Sequence, residues 1–399
     1  MSKLEQLINE LCSDGVEYRE LGVLGNFYGG LNGKAKDDFS NGNAKFITYM
    51  NVFSNLSLKI DVEDTVKIAE NEKQNTIKYG DVLFTGSSET PDECGMASVL
   101  TTVTEEKLYL NSFCFGFRFF DQNLMLPEFC KYVFRSTEIR NQIRKTASGV
   151  TRFNVSKKKM EKVIIPLPPL PVQEEIVRIL DNFTELTAEL TAELTARKQQ
   201  YKFYRDTLLT FGDDVNIVKM DEIADVTTGC KPETLTNERT PYEYINAGTT
   251  NSGFTNSYNA TGDAVTTPSR GQGGIGFVGY QKNDFWLGPL CYKLTTKDKA
   301  KTLTKYMYYY LQSKNELLFK IKNAGGVPSV NKVDLLRLPI HLPPLSEQQR
   351  IVDILDRFDK LCNDISEGLP AEIIAREQQY EYYRDKLLTF KQKEVAENE

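Results

Sequence analysis

One stretch of this sequence has the spacing of a nucleotide-binding loop: Gly271-Gln272-Gly273-Gly274-Ile275-Gly276, a match to G-x-G-x-x-G. That fingerprint needs an apolar strand before it and a helix after it, so that a pyrophosphate meets backbone N–H groups at the helix start. Here Thr266-Thr267-Pro268-Ser269-Arg270 precedes it and the strand-like Phe277-Val278-Gly279-Tyr280 follows. The segment is therefore read as a glycine-rich loop and not as a dinucleotide site. Such a loop lets backbone approach a groove and aims Arg270 and Gln272 at base edges, Arg toward guanine and Gln toward adenine. A plain flexible hairpin loop is the competing reading.

Other catalytic chemistry is missing from the sequence. The single histidine, His341 in Pro339-Ile340-His341-Leu342-Pro343, has no second histidine with which to hold a metal or relay a proton, and is expected to be structural. Seven cysteines, at 12, 94, 114, 130, 230, 291 and 362, form no C-x-x-C pair and no zinc-ligand spacing, and are expected to be reduced packing residues. There is no Walker loop, no Asn-Pro-Pro-Tyr-type methyltransferase motif and no Ser-His-Asp set. The chain is expected to catalyse nothing by itself and to bind no cofactor or metal. No run of eighteen apolar residues and no charged-then-apolar leader marks a membrane or secreted protein, so a soluble cytoplasmic chain is expected.

The net charge of −6, from 49 Lys and Arg against 55 Asp and Glu, at first argues against DNA, because non-specific affinity comes from neutralising phosphates. The distribution argues the other way. Residues 131 to 160 hold nine cations against the single anion Glu138, and residues 291 to 340 hold ten against three. A single charge run is usually a solvated face. Two runs at corresponding places mean more. Arg144, Lys145, Arg152 and Lys157 cluster and are candidates for phosphate contacts. Lys34 and Lys231, each shortly after a glycine, are candidates for phosphate or base contacts, although as isolated residues they read first as surface lysines.

The elements that must position these residues are written twice. Leu167-Pro168-Pro169-Leu170-Pro171-Val172-Gln173 and onward to Ile179-Leu180-Asp181-Asn182-Phe183 returns 175 residues later as Leu342 to Phe358. Gln199-Gln200-Tyr201-Lys202-Phe203-Tyr204-Arg205-Asp206 returns 179 residues later as Gln378 to Asp385. Both blocks have apolar residues every three or four positions and predict helices starting near Val172 and Ser346, the latter with a capping box from Ser346 to Gln349. Phe183, Leu186, Leu190, Leu194 and Tyr201 form a stripe for a partner helix, and Phe358, Leu361 and Tyr380 belong to the second copy. Thr187-Ala188-Glu189-Leu190 is repeated by Thr191-Ala192-Glu193-Leu194, whereas the second copy has Glu367-Gly368-Leu369-Pro370, which should break or kink its helix.

At 399 residues the chain suits two domains with connecting structure. The segments ahead of the helical blocks, rich in short β-type runs, Gly and Asn, read as mixed α+β domains. The division is residues 1–165, helical 166–211, residues 212–341 and helical 342–399. Gly80-Asp81-Val82-Leu83 resembles Gly262-Asp263-Ala264-Val265, which puts Ser87 and Ser88 in the loop corresponding to that of Arg270. Tyr306, Tyr308, Tyr309 and Tyr310 read as core and interface packing.

The LPPL-x-x-Q-x-x-I-x-x-I-L-D-x-F and Q-Q-Y-x-x-Y-R-D blocks resemble the conserved regions of specificity subunits of type I restriction-modification systems, and the TAEL repeat resembles their IC class. The resemblance implies two target-recognition domains separated by two long helices in an antiparallel coiled coil, with an internal pseudo-twofold repeat. It implies a non-catalytic chain in which each domain reads half of a bipartite site in double-stranded DNA, with two methyltransferase subunits docked and restriction subunits reached through the complex. S-adenosylmethionine, ATP and Mg are then expected on the partner subunits only. A non-DNA coiled-coil scaffold with two interaction domains would explain the helices but not the paired basic windows.

Overall fold

The computed structural model describes residues 2–271, 273–323, 326–364 and 366–393. Two compact units emerge: Met1–Glu189 with Ile374–Glu399, and Leu190–Ile373. Each helical block is divided between the units: residues 170–189 and 374–387 fall with the first recognition segment, where Val172, Ile176 and Leu180 complete its core, and residues 190–208 and 345–373 fall with the second, where Ile351 and Leu355 do the same.

In the first unit, a four-stranded antiparallel sheet runs in the order Gly25–Gly29, Cys114–Phe119, Val82–Thr85, Ala97–Val99. Its central strand, Cys114-Phe115-Gly116-Phe117-Arg118-Phe119, is covered on both faces, so it reads as a nearly continuous apolar run without alternation. A second sheet orders Thr65–Val66, Ala44–Ile47, Leu108–Leu110, Thr76–Ile77, with the middle two parallel. A small sheet joins Ala147–Ser148, Phe153–Val155 and Ser87–Ser88, and Glu17–Glu20 pairs with Ile164–Leu167.

The second unit repeats this plan. Ala224–Thr228, Cys291–Thr296, Ala264–Pro268 and Gly279–Gln281 form the antiparallel sheet. Phe254–Thr255, Tyr242–Ile245 and Trp286–Leu287 form the sheet with a parallel pair, Lys322–Asn323 pairs with Ser329–Val330, and Ile217–Lys219 pairs with Pro339–His341. The likeness of the two recognition segments therefore extends far beyond one strand and loop.

A buried glutamine fixes each helical block to its unit. Gln173 accepts from Leu126 N–H at 2.8 Å and donates to the carbonyls of Leu124 and Pro168 at 3.1 and 2.8 Å. Gln348 accepts from Leu303 N–H at 3.0 Å and donates to Lys301 and Pro343 at 2.8 and 2.9 Å. Each thereby satisfies backbone groups at the start of a recognition-segment helix, Pro127–Val133 or Thr304–Ser313, that would otherwise be orphaned. Asp181 then takes Lys131 and Tyr132 at 2.7 and 2.5 Å, and Asp356 takes Lys305 and Tyr309, both at 2.6 Å. Tyr306, Tyr309 and Tyr310 are core residues, as expected.

The helices are Leu170–Leu208, Leu345–Asn363 and Leu369–Leu387. The interruption falls where Gly368-Leu369-Pro370 placed it. Asp364 caps the first piece, Pro370 sits in the first turn of the second, where its missing N–H costs nothing, and a Cβ on Gly368 would lie 2.6 Å from the Lys360 carbonyl. The capping box at Ser346 does not form, because the helix begins at Leu345 and Ser346 is already inside it.

The leucine stripe is buried only in part. Leu194 packs against the second core, but Leu186 is 46% exposed and Leu361 37%. A four-residue period overshoots the 3.6-residue turn by about 40° per repeat, so Leu186 and Leu194 lie roughly 80° apart around the helix. The pairings inside each unit are aromatic. Phe183 stacks on Tyr383 at 5.3 Å in the first, and Phe358 on Tyr204 at 5.4 Å in the second, with Tyr201 beside it at 6.3 Å. Tyr380 lies 6.3 Å from Tyr132. Leu190 is half-buried.

Candidate nucleic-acid interface

Of the residues predicted to meet DNA, Ser87, Ser88, Arg152 and Lys157 in the first unit and Arg270 in the second lie at one backbone junction of each unit. In the first unit, Gly86 N–H donates to the Phe113 carbonyl at 2.7 Å, and Val155 N–H donates to the Gly86 carbonyl at 2.9 Å. Ser87 pairs with Asn154. In the second, Ser269 N–H donates to the Leu290 carbonyl and Val330 N–H to the Ser269 carbonyl, both at 2.9 Å, while Arg270 pairs with Ser329. The pairing equates Ser87 with Arg270, one residue away from the alignment that Gly80-Asp81 and Gly262-Asp263 suggest, because the strands around Val82 and Val265 share a register against Phe117 and Leu294.

On this junction the first unit displays Ser87, nearly buried under Tyr49, whose hydroxyl donates to the Ser87 carbonyl at 2.8 Å, and Ser88, whose hydroxyl donates to Glu93 at 2.9 Å. Two open clefts flank it. One of about 860 Å³ is lined by Tyr49, Met50, Phe53, Phe113, Val150 and Arg152. The other, of about 560 Å³, is lined by Gly30, Asn32, Asn75, Asn154 and Lys157 among others. Arg152 is exposed with its guanidinium over the Phe113 ring at 5.6 Å, and the exposed Lys157 ammonium lies 5.7 Å from the Phe115 ring. Sequence reading missed Tyr49, Phe113, Val150 and Asn154; only the fold brings their loops to Ser87.

The basic windows separate into two kinds of cation. Arg135 donates to the Ala97 and Phe53 carbonyls, and Arg140 to those of Gly95, Asp92 and Cys94; burial pulls both down to about 10, which leaves them charged at neutral pH. Lys131 is held by Asp181, and Arg144 by Asp92 at 2.9 Å. Lys145, Arg152, Lys157, Lys158 and Lys159 stand exposed. In the second window Lys299, Lys301 and Lys305 are paired with Asp263, Asp298 and Asp356, while Lys320, Lys322, Lys332 and Arg337 are exposed.

Lys34 is drawn into an ion pair with Glu72 and a bond to the Lys67 carbonyl, both at 2.5 Å, and this pairing holds the Glu72 carboxyl down at about 2. Lys231 and Arg270 are exposed, and Gln272 lies outside the described residues. Two glycines of the G-x-G-x-x-G stretch, Gly274 and Gly276, serve close approaches within their own chain. A Cβ on Gly274 would lie 2.0 Å from the Ala247 carbonyl, and Gly276, at φ +91°, packs on the Phe319 ring. Strand Gly279–Gln281 follows and no helix does, which excludes the dinucleotide arrangement. His341 is structural: its Nδ1 is 2.8 Å from the Tyr310 hydroxyl and its ring stacks on Phe211. Among the described residues no cluster of His, Cys, Asp or Glu could hold a metal, and no helix is long and apolar enough to cross a membrane.

The family described as type I restriction modification DNA specificity domain matches residues 13–197 and again 212–375. The chain is 36% identical over 271 residues to the type I restriction enzyme EcoR124I/EcoR124II specificity subunit of Escherichia coli, covering 61% of this chain and 67% of that one. It is 33% identical over 248 residues to a type I specificity subunit, S.MpnORF201P, of Mycoplasma pneumoniae, covering 59% and 99%. Its fold matches the crystal structure of a type I restriction-modification S subunit from M. genitalium with a TM-score of 0.56 at 15% identity, over 94% of this chain and 96% of that one. The two family matches coincide with the two copies of the repeat, and the chain belongs to the type I restriction-modification specificity family, as a non-catalytic DNA-specificity subunit.

Proposed function

We propose that each unit reads one half of an asymmetric, bipartite site in duplex DNA. The observation that carries this reading is the shared junction. Both units hold the same backbone hydrogen bonds, yet present serine, glycine and phenylalanine in one and arginine, serine and leucine in the other. A common scaffold with different side chains is what two readers of different sequences require. Exposed cations beside each junction supply phosphate contacts: Lys145, Arg152 and Lys157 in the first unit, Lys322 and Lys332 in the second.

The repeated helical blocks present matching surfaces to partners. Phe203 and Tyr382, 179 residues apart, are both exposed, which supports two copies of one partner, read as methyltransferase subunits, with restriction subunits joining through the assembly. S-adenosylmethionine, ATP and Mg then belong to those subunits, and the TAEL repeat supports the IC class. Binding of the purified chain, with and without its partners, to a randomised duplex pool at several salt concentrations tests the reading. Expected is a bipartite motif whose affinity falls steeply with salt; binding that ignores both sequence and salt overturns it.

A further inference from the structure

We infer that the exposed apolar side chains at each junction, Phe113 with Val150 in the first unit and Leu290 with Val327 in the second, read thymine through its C5 methyl group. The inference rests on the half-site reading above. Phe113 and Leu290 each stand immediately before the central strand of their sheets, and each carbonyl accepts the N–H that builds the junction. Their side chains have no part in that bond. Phe113 is 57% exposed and Leu290 37%. Val150 and Val327 lie in the hairpins that return to the junction strands, and are 91% and 45% exposed.

Phe113 and Val150 turn more than half of their surface to solvent, where solubility favours a polar residue. Both units nevertheless place apolar groups there, in sequences that otherwise share few side chains at this face. In the first unit Val150 and Phe113 line the same cleft and Arg152 caps the Phe113 ring. Glu89 and Glu93 line the same cleft, so its charge is mixed and the apolar side chains, not a net positive charge, set what the tip selects. On the face of a duplex, the one apolar group that distinguishes a base edge in the major groove is the thymine methyl.

The test uses the full chain and the duplex it enriches from a randomised pool, with each thymidine of the enriched half-sites replaced in turn by deoxyuridine, which removes only the methyl. For the intact chain, at least one position in each half-site is expected to bind roughly fourfold more weakly with deoxyuridine, the value of about one buried methyl. Phe113→Ala or Val150→Ala should abolish that discrimination in one half-site and keep it in the other, and Leu290→Ala should do the converse. Val150 has so little contact with the fold that its variant keeps the test available should Phe113→Ala lose stability. Variants that distinguish thymidine from deoxyuridine as the intact chain does, or an intact chain indifferent to the methyl at every position, overturn the inference and leave the half-site reading standing. An intact chain that enriches no motif overturns both.

Discussion

The helical blocks and the reading junctions are both present twice, and they repeat different things. In the helical blocks side chain and contact recur together. Gln173 and Gln348 make the same three bonds, Phe183–Tyr383 and Phe358–Tyr204 the same stack, and the Arg205 guanidinium over Tyr201 at 5.9 Å matches Arg384 over Tyr380 at 5.6 Å. At the junctions the backbone bonds recur while the side chains mostly differ: Ser87 corresponds to Arg270 and Phe113 to Leu290. The difference follows from burial. A buried amide with three partners admits no substitute without orphaning them. Exposed side chains such as Arg270 and Phe113 are under no such constraint, and the buried Ser87 is covered by Tyr49 in the first unit.

The sharpest break of this comparison is at the glutamines. Gln173→Leu should leave the Leu126 N–H and two carbonyls unpaired and cost about 3 kcal/mol in the first unit, with Gln348→Leu doing the same in the second. Denaturant unfolding followed separately by hydrogen exchange in each unit checks this. Equal loss in both units from either variant would mean that the anchors are not local.

Next in size is Arg270→Ala, expected to weaken or relax one half-site by about 1–3 kcal/mol and leave the other unchanged, as read from selected duplexes. An unaltered motif would remove Arg270 from the reading residues.

Deleting Thr191–Leu194 removes one tetrapeptide and about 6 Å of the helix Leu170–Leu208, turning the remainder of the helix by only about 40° beyond a full turn. The gap between half-sites is expected to shrink by one or two base pairs, at about 3.4 Å each, with the half-sites unchanged. Loss of two residues, a turn of roughly 200°, should instead expose the apolar face and abolish binding. An unchanged gap would show that this helix is not the ruler.

The smallest effect is expected for Lys34→Ala. Its ammonium is already held by Glu72, so salt-dependent DNA affinity should change by less than about 0.5 kcal/mol. A larger loss would mean that the ion pair opens on DNA.

Periodicity and repetition write their information locally, and that part of the molecule was legible in the sequence. The helices at Leu170 and Leu345, the break at Gly368, the structural His341 and the tyrosine core all follow from spacing and residue type. The junctions were only half legible. Ser87 and Arg270 lie beside a repeated strand, but Phe113 and Val150 reach Ser87 through pairings of residues tens of positions apart, which no window of sequence contains. The basic windows overstated the free charge, because Arg135 and Arg140 satisfy carbonyls inside the fold. The leucine stripe overstated the seam, because a period of four drifts off a 3.6-residue helix.

The claim that two units read two different half-sites is tested most directly by the methylation motif of host DNA with and without this chain. Two unrelated short half-sites at a fixed gap are expected, present only with the chain, with a change confined to one half when the junction residues of one unit are exchanged. A motif that is continuous or palindromic, or that persists without the chain, would contradict it.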